Sequence, residues 1–382
     1  MRCQRVRGVF AIAFLALPGV VVGQQAPIVQ RYRFDADNTG WNVESTNAAT
    51  AEITRTEGEF KTGAGAIKVK YTIEKGQFSA LSLPVEPGKW AQARQITFWL
   101  KTDRDTAMLF AVHEKDGGHY HATIWSPGNV WQQITLTSQD FSPGMEPTDP
   151  KDPNQRLDMD RIEKVFLTDL ANLLIQSVSP DDPFLKVEGG LRTFWLDEVE
   201  VRSDAPPASR LPREGAVLID AFPYGYLSWL PLGTGSPVIR LDRSGMPFAG
   251  PAMQMTYTQE QGKPAIAVRG VSRDLSGCKS LVLDIASEQD VQLLISLEEH
   301  NGGRYQTIVT VAGGRQAQQK VLPFSQFRMA DDSPPDANGK LDLDRVKTMG
   351  FADLAFLGPV AKKTNTLWIA RVYALPPEQS GS

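Results

Sequence analysis

The segment QITFWLKT at residues 95–102 alternates apolar and polar side chains, which is typical of a β-strand with one face on a core. Ile96, Phe98 and Leu100 form its inner set, and Trp99 and Lys101 lie on its outer face. Further segments of the first half alternate in the same way or are β-branched, and turn residues separate them: 51–56, 66–73, 108–114, 120–125, 131–137 and 193–201. The pattern predicts an all-β chain. Only a short stretch after Asp158, before a strand near Val165–Leu167, is expected to be helical.

The sequence contains this pattern twice. Three pairs of segments match in order: HEKDGGHYH (113–121) with EEHNGGRYQ (298–306), LDMDRI (157–162) with LDLDRV (341–346), and TFWLDEVEV (193–201) with TLWIARVYA (366–374). Ordered matches with small gaps indicate an internal duplication. The Pro-rich stretch 203–215 is typical of a linker. We therefore predict two tandem β-sandwich domains of the jelly-roll type, at 30–202 and 216–375.

Composition excludes several classes of function. The 382 residues carry 44 acidic and 40 basic side chains, a net charge of −4, which lacks the basic excess of nucleic-acid proteins. Two cysteines are too few for a disulfide framework or a four-thiolate zinc site. Eight tryptophans are a generous share, and they call for an explanation.

The N-terminus predicts export. Three arginines precede an uncharged apolar run at 9–22, and small residues follow, as in a cleaved signal peptide at 1–23. The mature protein would be secreted or periplasmic and would retain Cys278 alone. A mitochondrial transit peptide is the alternative, but the continuous apolar block is not amphipathic. We see no segment long and apolar enough to span a membrane.

Alternation also predicts a candidate binding face in domain one. His119, His121 and Trp125 share one side of a strand, and His113 lies on the strand before it. If these strands adjoin residues 95–102, one face collects six candidate carbohydrate-binding residues: Trp99, Lys101, His113, His119, His121 and Trp125. Aromatic rings stack on the C–H faces of sugars, while imidazole and ammonium groups donate hydrogen bonds to hydroxyls.

The second copy replaces this face. Its residues at the matching positions are Asp284, Glu298, Arg304, Gln306 and Thr310, in place of Trp99, His113, His119, His121 and Trp125. Trp195 recurs as Trp368, whereas Trp131 becomes Ala317. We therefore interpret Trp131 and Trp195 as core residues and expect the second domain not to share the specificity of the first. Trp41, Trp90 and Trp229 remain unassigned.

The order of these motifs resembles a known family. Gly63 and Gly65 before a strand, GGHY (117–120), WQQ (131–133), LDMDRI (157–162) and TFWLDEV (193–199) look like galactose-binding-like jelly-roll modules. The sequence is most similar to family 11 carbohydrate-binding modules and to the complex-I-intermediate-associated protein domain. The resemblance implies non-catalytic binding of a polysaccharide or oligosaccharide on the concave sheet.

The resemblance also implies a structural calcium ion. Relatives commonly hold Ca²⁺ between the first strand, a Gly-containing loop and an Asp on the last strand. Asp35, the Gly63–Gly65 loop and Asp197 would occupy those places here. In the second copy Asp220 remains, but Ala370 replaces Asp197, which puts a second calcium site in doubt.

Three alternatives remain open. A protein-interaction or assembly factor would resemble the complex-I-associated relatives. A polysaccharide-lyase-like enzyme would use Tyr120 and His121 for acid–base chemistry, although strand neighbours point to opposite sides and Tyr120 is better explained as core. His113, His119 and His121 would also suit zinc, but no carboxylate or cysteine at a fixed spacing accompanies them. We favour the non-catalytic carbohydrate-binding function.

Overall fold

The computed structural model describes residues 28–378, apart from 37–38, 48–50, 145–151, 153, 155, 180–181, 183–184, 207–210, 224 and 301. The predicted signal peptide at 1–23 lies outside this range, as do four residues of the predicted linker. The described strands form four antiparallel sheets, two in each half of the chain. This arrangement confirms the predicted pair of tandem β-sandwiches.

The first half, called domain one, contains twelve described strands and the helix α1 (Ala171–Ser177). The strands are β1 (Ile28–Tyr32), β2 (Asn42–Ser45), β3 (Ala51–Thr56), β4 (Ala66–Ile73), β5 (Ser79–Pro84), β6 (Gln95–Thr102), β7 (Thr106–Glu114), β8 (His119–Ser126), β9 (Gln132–Leu136), β10 (Ser142–Pro143), β11 (Ile162–Asp169) and β12 (Gly190–Arg202). Sheet A has the order β3-β4-β12-β6-β9 with β1 beside β12, and sheet B has the order β10-β8-β7-β11-β5-β2.

The second half, called domain two, repeats this topology strand by strand. Its strands are β13 (Val217–Asp220), β14 (Leu230–Leu232), β15 (Val238–Asp242), β16 (Ala252–Gln259), β17 (Ile266–Gly270), β18 (Ser280–Ser287), β19 (Val291–Glu299), β20 (Arg304–Val311), β21 (Gln318–Pro323), β22 (Arg328–Met329), β23 (Val346–Asp353) and β24 (Lys363–Leu375). Sheet C is β15-β16-β24-β18-β21 with β13 beside β24, and sheet D is β14-β17-β23-β19-β20-β22. The duplication inferred from the sequence is therefore a duplication of the fold.

Each domain packs its two sheets around a core of inward-facing residues. Ile96, Phe98 and Leu100 of β6 are buried in the first core, as the alternation predicts. Gly117 and Gly302 have positive φ angles in the turns that join β7 to β8 and β19 to β20. Each belongs to a Gly-Gly pair, 117–118 or 302–303, and such pairs are typical of hairpin turns.

Two expectations about local structure were wrong. The stretch after Asp158 is a turn that leads into β11, and the helix forms later, at Ala171–Ser177. Trp195 is not a core residue, because Phe194 and Leu196 on either side of it point inward and Trp195 points outward from sheet A. Strand parity decides this, since neighbouring side chains lie on opposite faces.

The unassigned tryptophans belong to the cores. Trp41, Trp90 and Trp229 are buried, and Trp41 and Trp229 occupy equivalent places after the first strand of each domain. Strand pairing corrects the match of Asp220 with Asp35. Tyr32 pairs with Val199, and Asp220 pairs with Val372, which is the equivalent of Val199. Asp220 therefore corresponds to Tyr32 and not to Asp35. Domain two lacks a counterpart of either proposed calcium ligand.

Where the two domains meet, an aromatic side chain of each packs against the core of the other. Tyr226 of domain two is buried in the core of domain one, and Trp125 of domain one packs against the core of domain two. The Trp125 backbone N–H donates to the Leu227 carbonyl over 2.7 Å, and its indole Nε1 donates to the Ile239 carbonyl over 3.1 Å. Arg240 also pairs with Asp105. Within the described part of the chain, none of the helices has the length and apolarity needed to cross a membrane.

Candidate functional site

The outer face of sheet B carries the candidate site of domain one. Strand pairing sets the residues of this face opposite one another: His113 pairs with His119 and Lys164, while Ala111 pairs with His121 and Phe166. Side chains that pair directly in an antiparallel sheet lie on the same face. We call this group, His113, His119, His121, Lys164 and Phe166, the imidazole–Phe face.

Ring contacts hold the imidazole–Phe face together. The rings of His113 and His119 stack with centroids 3.7 Å apart, and His113 lies 4.7 Å from the Phe166 ring. The Lys164 ammonium lies 4.8 Å from the centroid of the same ring. All five side chains are partly exposed, so apolar area and nitrogen donors are presented together. This combination suits a ligand that is apolar on its ring faces and polar at its rim.

A carboxylate on β2 completes the face. Glu44 accepts from Lys164 Nζ at 2.6 Å and from the Ser82 hydroxyl at 2.8 Å. Burial raises the pKa of Glu44, but these hydrogen bonds and the charges of Lys164 and His113 outweigh it and hold the pKa below its usual value. The carboxylate is therefore ionised at neutral pH and can accept hydrogen bonds from ligand hydroxyls.

The structure does not bring the predicted site residues onto one face. His113, His119 and His121 do lie together on sheet B, as the sequence predicts. Trp99 and Lys101 belong to β6 of sheet A and point outward on the other side of the sandwich. The expected convergence fails because β6 neighbours β9 and β12, and not β7 or β8.

Trp125 shares the sheet of the histidines but does not form a sugar platform. Its ring packs against the core of domain two, and its indole N–H is bonded to the Ile239 carbonyl. The paired Trp99–Trp125 platform is therefore wrong. Sequence alone could not show this, because the burial of Trp125 depends on how the second domain docks.

The face also includes residues that sequence reasoning missed. Phe166 lies in the middle of β11, and Val165 and Leu167 beside it are buried. Alternation along this strand indicates that Phe166 points outward, so the signal was present. Lys164 follows by the same parity, whereas Glu44 comes from a short strand without a clear pattern.

The Tyr120 hydroxyl takes part in a bond that both domains share. Tyr120 is buried, as expected, and its hydroxyl donates to Asp152. Tyr305 repeats this bond to Asp336 in domain two, which indicates a structural role. Among the described residues, no group of three or more His, Cys, Asp or Glu side chains is placed to hold a metal ion.

The two acids expected to bind calcium do meet. Asp35 and Asp197 line one cavity of about 100 Å³ together with Gly63. Asp197 Oδ2 accepts from the backbone N–H groups of Lys61 and Thr62, both at 2.7 Å, whereas Oδ1 receives one long contact of 3.4 Å. Gly63 has a φ of +63°, which side chains rarely adopt, and a Cβ there would lie 2.5 Å from Asp35 Oδ1, so glycine suits this position. Asp35 Oδ1 in turn accepts from the Ala64 backbone N–H at 2.8 Å, and carboxylate oxygens of this kind are the ligands that a hard cation prefers.

Comparison with known proteins shows what domain one is similar to. A family model described as "Carbohydrate binding domain (family 11)" matches residues 23–177, which include β1–β11 and α1. Domain one is similar to family 11 carbohydrate-binding modules. The resemblance seen in the sequence motifs is thereby confirmed for this part of the chain. No curated protein matches the chain.

Two solved structures are similar to this chain at low identity. The family 11 carbohydrate-binding module from Clostridium thermocellum, in complex with a β-1,3-1,4-mixed-linked tetrasaccharide, is 20% identical. The match covers 42% of this chain and 95% of that one with a TM-score of 0.34. The N-terminal CBM22-1–CBM22-2 tandem domain from Paenibacillus barcinonensis Xyn10C is 13% identical over 93% of this chain and 98% of that one, with a TM-score of 0.31.

Proposed function

We propose that this protein is a secreted or periplasmic, non-catalytic carbohydrate-binding protein whose domain one binds a polysaccharide or oligosaccharide on the imidazole–Phe face. The observation that carries the proposal is the placement of this face within the stretch that matches the family 11 model. Phe166 would stack on a sugar ring, while His119, His121 and Lys164 would donate to hydroxyls and Glu44 would accept from them.

The affinity of such a face for each sugar ring is expected to be low. One aromatic platform and a few exposed hydrogen bonds support micromolar affinity or poorer. Domain two places Glu298, Arg304, Gln306 and Gly350 at the positions of His113, His119, His121 and Phe166. Because it has no ring at the Phe166 position, domain two would support domain one or bind a more polar ligand.

A glycan array probed with the full chain tests the proposal. Phe166→Ala should weaken binding of the glycans that are retained by at least about fivefold, since one lost ring contact is worth roughly 1 kcal/mol or more. Ile308→Ala is the matched control, because Ile308 is an exposed apolar residue on the outer face of sheet D. Equal binding by the Phe166 variant would contradict the assigned face, and capture of a protein without any glycan would favour the assembly-factor alternative.

We also propose that domain one holds a structural Ca²⁺ between Asp35 and Asp197. A bound cation stabilises the folded state by mass action. Added Ca²⁺ should therefore raise the melting temperature of the chelator-treated protein, and Asp197→Asn should abolish that rise. An unchanged melting temperature would show that the backbone N–H bonds to Asp197 hold the loop without a cation.

A further inference from the structure

A cleft between the domains offers a second binding site, on the opposite side of domain one from the imidazole–Phe face. Its volume is about 710 Å³. Domain one contributes Trp99, Trp131 and Gln133 to its wall, and domain two contributes Arg240 and Arg243. The site exists only where the two domains meet, so neither half of the sequence indicates it alone.

The aromatic wall comes from the outer face of sheet A. Trp99 pairs with Gln133 across β6 and β9, and Trp131 precedes β9 by one residue, two positions before Gln133. Trp131 therefore lies on the same face, diagonal to Trp99. This placement corrects the interpretation of Trp131 as core. Its indole Nε1 donates to Glu59 over 3.0 Å, and its ring remains partly exposed.

The charged groups of the cleft favour an anion. Among the described residues that line it, none is acidic, in a chain with a net charge of −4. The nearby acids are already engaged, because Asp105 pairs with Arg240 and Glu59 pairs with Lys101. Lys61 adds a positive charge 4.8 Å from the Trp99 ring centroid.

Arg243 is the cation best placed to take a ligand. It is exposed, and its guanidinium donates to the Gly225 carbonyl over 3.2 Å. None of the ion pairs in the described part of the chain includes it. A planar guanidinium with several remaining donors matches a carboxylate or sulfate group in geometry and in charge.

We propose that this cleft binds an acidic oligosaccharide, with a sugar ring on Trp99 and the carboxylate or sulfate group on Arg243. The side-chain amides of the cleft, Gln133 among them, would bond the hydroxyls. The site is independent of the imidazole–Phe face. Domain two does not repeat the aromatic wall, because Asp284 and Ala317 replace Trp99 and Trp131.

Calorimetric titration of the full chain tests the proposal with three hexasaccharides: one of uronic acids, one sulfated, and one uncharged glucan. At least one charged probe should bind more tightly than the glucan, and its affinity should fall as salt rises. Arg243→Gln should weaken that binding by about tenfold, because a charge-assisted bond is lost. Arg328→Gln is the control, since Arg328 is exposed on domain two and is not one of the described residues that line the cleft. Which charged probe binds distinguishes carboxylate from sulfate.

Two further variants separate this site from the first. Trp99→Ala should weaken binding of the charged probe, and Phe166→Ala should leave that binding unchanged. Arg243→Gln changes only an exposed side chain, so it decides the matter if the Trp99 variant does not fold. The proposed cleft site would be wrong if Phe166→Ala, and not Arg243→Gln, abolished binding of the charged probe. It would also be wrong if the protein bound the charged probes no more tightly than the glucan. Failure of the imidazole–Phe face would instead appear as glucan binding that Phe166→Ala leaves intact.

Discussion

Domain one and domain two have one topology and two different surfaces. Every strand of sheets A and B has its counterpart in sheets C and D, and inward positions such as Leu100 and Ile285 are apolar in both. Several outward positions differ: Gly350 is equivalent to Phe166, and Thr310 is equivalent to Trp125. Burial preserves the residues that make the sandwich, whereas exposed positions are free to acquire a ligand or a neighbouring domain.

The largest expected difference in stability concerns an aspartate that each domain buries at the end of a strand, Asp169 in β11 and Asp353 in β23. In domain one, Asp169 accepts from Arg192 Nη1 and from the Tyr71 hydroxyl, both at 2.8 Å. In domain two, the equivalent Asp353 accepts from Gln259 at 2.6 Å and from Tyr257 at 2.7 Å. One aspartate is balanced by a full charge and the other by neutral donors.

Arg192→Met should therefore destabilise the protein by about 3–5 kcal/mol, because it leaves a buried carboxylate without its cation. Gln259→Met, which removes one neutral donor, should cost about 1–3 kcal/mol. Urea unfolding of both variants measures the comparison. Equal costs would mean that Tyr71 and backbone N–H groups suffice to hold Asp169.

The next largest effect concerns the junction of the domains. Trp125→Ala should cost about 2–4 kcal/mol, because a large ring is lost from the surface of the second core together with its bond to Ile239. Thr310→Ala, at the equivalent place in domain two, should cost less than about 0.5 kcal/mol, since such surface changes are usually small. Calorimetry of the Trp125 variant should also show two separated transitions in place of a coupled one. A single unchanged transition would contradict a structural role for this ring.

The fold could be predicted well from the sequence because period-two alternation is visible within each strand, and because the second copy repeats the same pattern. The predicted segments 66–73 and 95–102 coincide with β4 and β6. Each inner set is long enough for parity to be unambiguous, and the second copy provides an independent reading of the same positions. Phe166 could have been found in the same way, from the alternation of β11.

The site was predicted less well because it depends on which strands adjoin. His113 and His119 came together through a tight hairpin, a local connection that the Gly-Gly pair marks. Trp99 and Trp125 were separated by sheet order, which alternation does not determine. The cleft at Trp131 depends on docking of Arg243 from the other domain, more than 100 residues later.

A smaller difference between the domains should appear with pH. Although His300 is open to solvent on one side, desolvation of its ring and the charge of Lys347 lower its pKa below the ordinary value of 6.5. The equivalent residue in domain one is Lys115, which is also exposed. Because the unfolded chain binds the proton more readily, stability should fall as pH falls below 6.5. His300→Gln should remove that part of the pH dependence, and Lys115→Gln should not. Identical pH profiles for the His300 variant and the unchanged protein would contradict the shift.

The smallest expected effect is an ion pair across the junction. Asp105 and Asp290 are equivalent, and each accepts from a backbone N–H, of Gly128 at 2.9 Å and of Gly313 at 2.7 Å. Asp105 alone of this pair also bonds Arg240, at 2.9 and 3.1 Å. Asparagine retains the oxygen that accepts from the backbone, so Asp105→Asn and Asp290→Asn differ by the ion pair alone. Asp105→Asn should cost less than about 1 kcal/mol, and the cost should disappear in 1 M salt because exposed pairs are screened. A larger cost that salt leaves unchanged would show that the pair is sheltered by the docked domains, and that the junction is tighter than its exposed rim indicates.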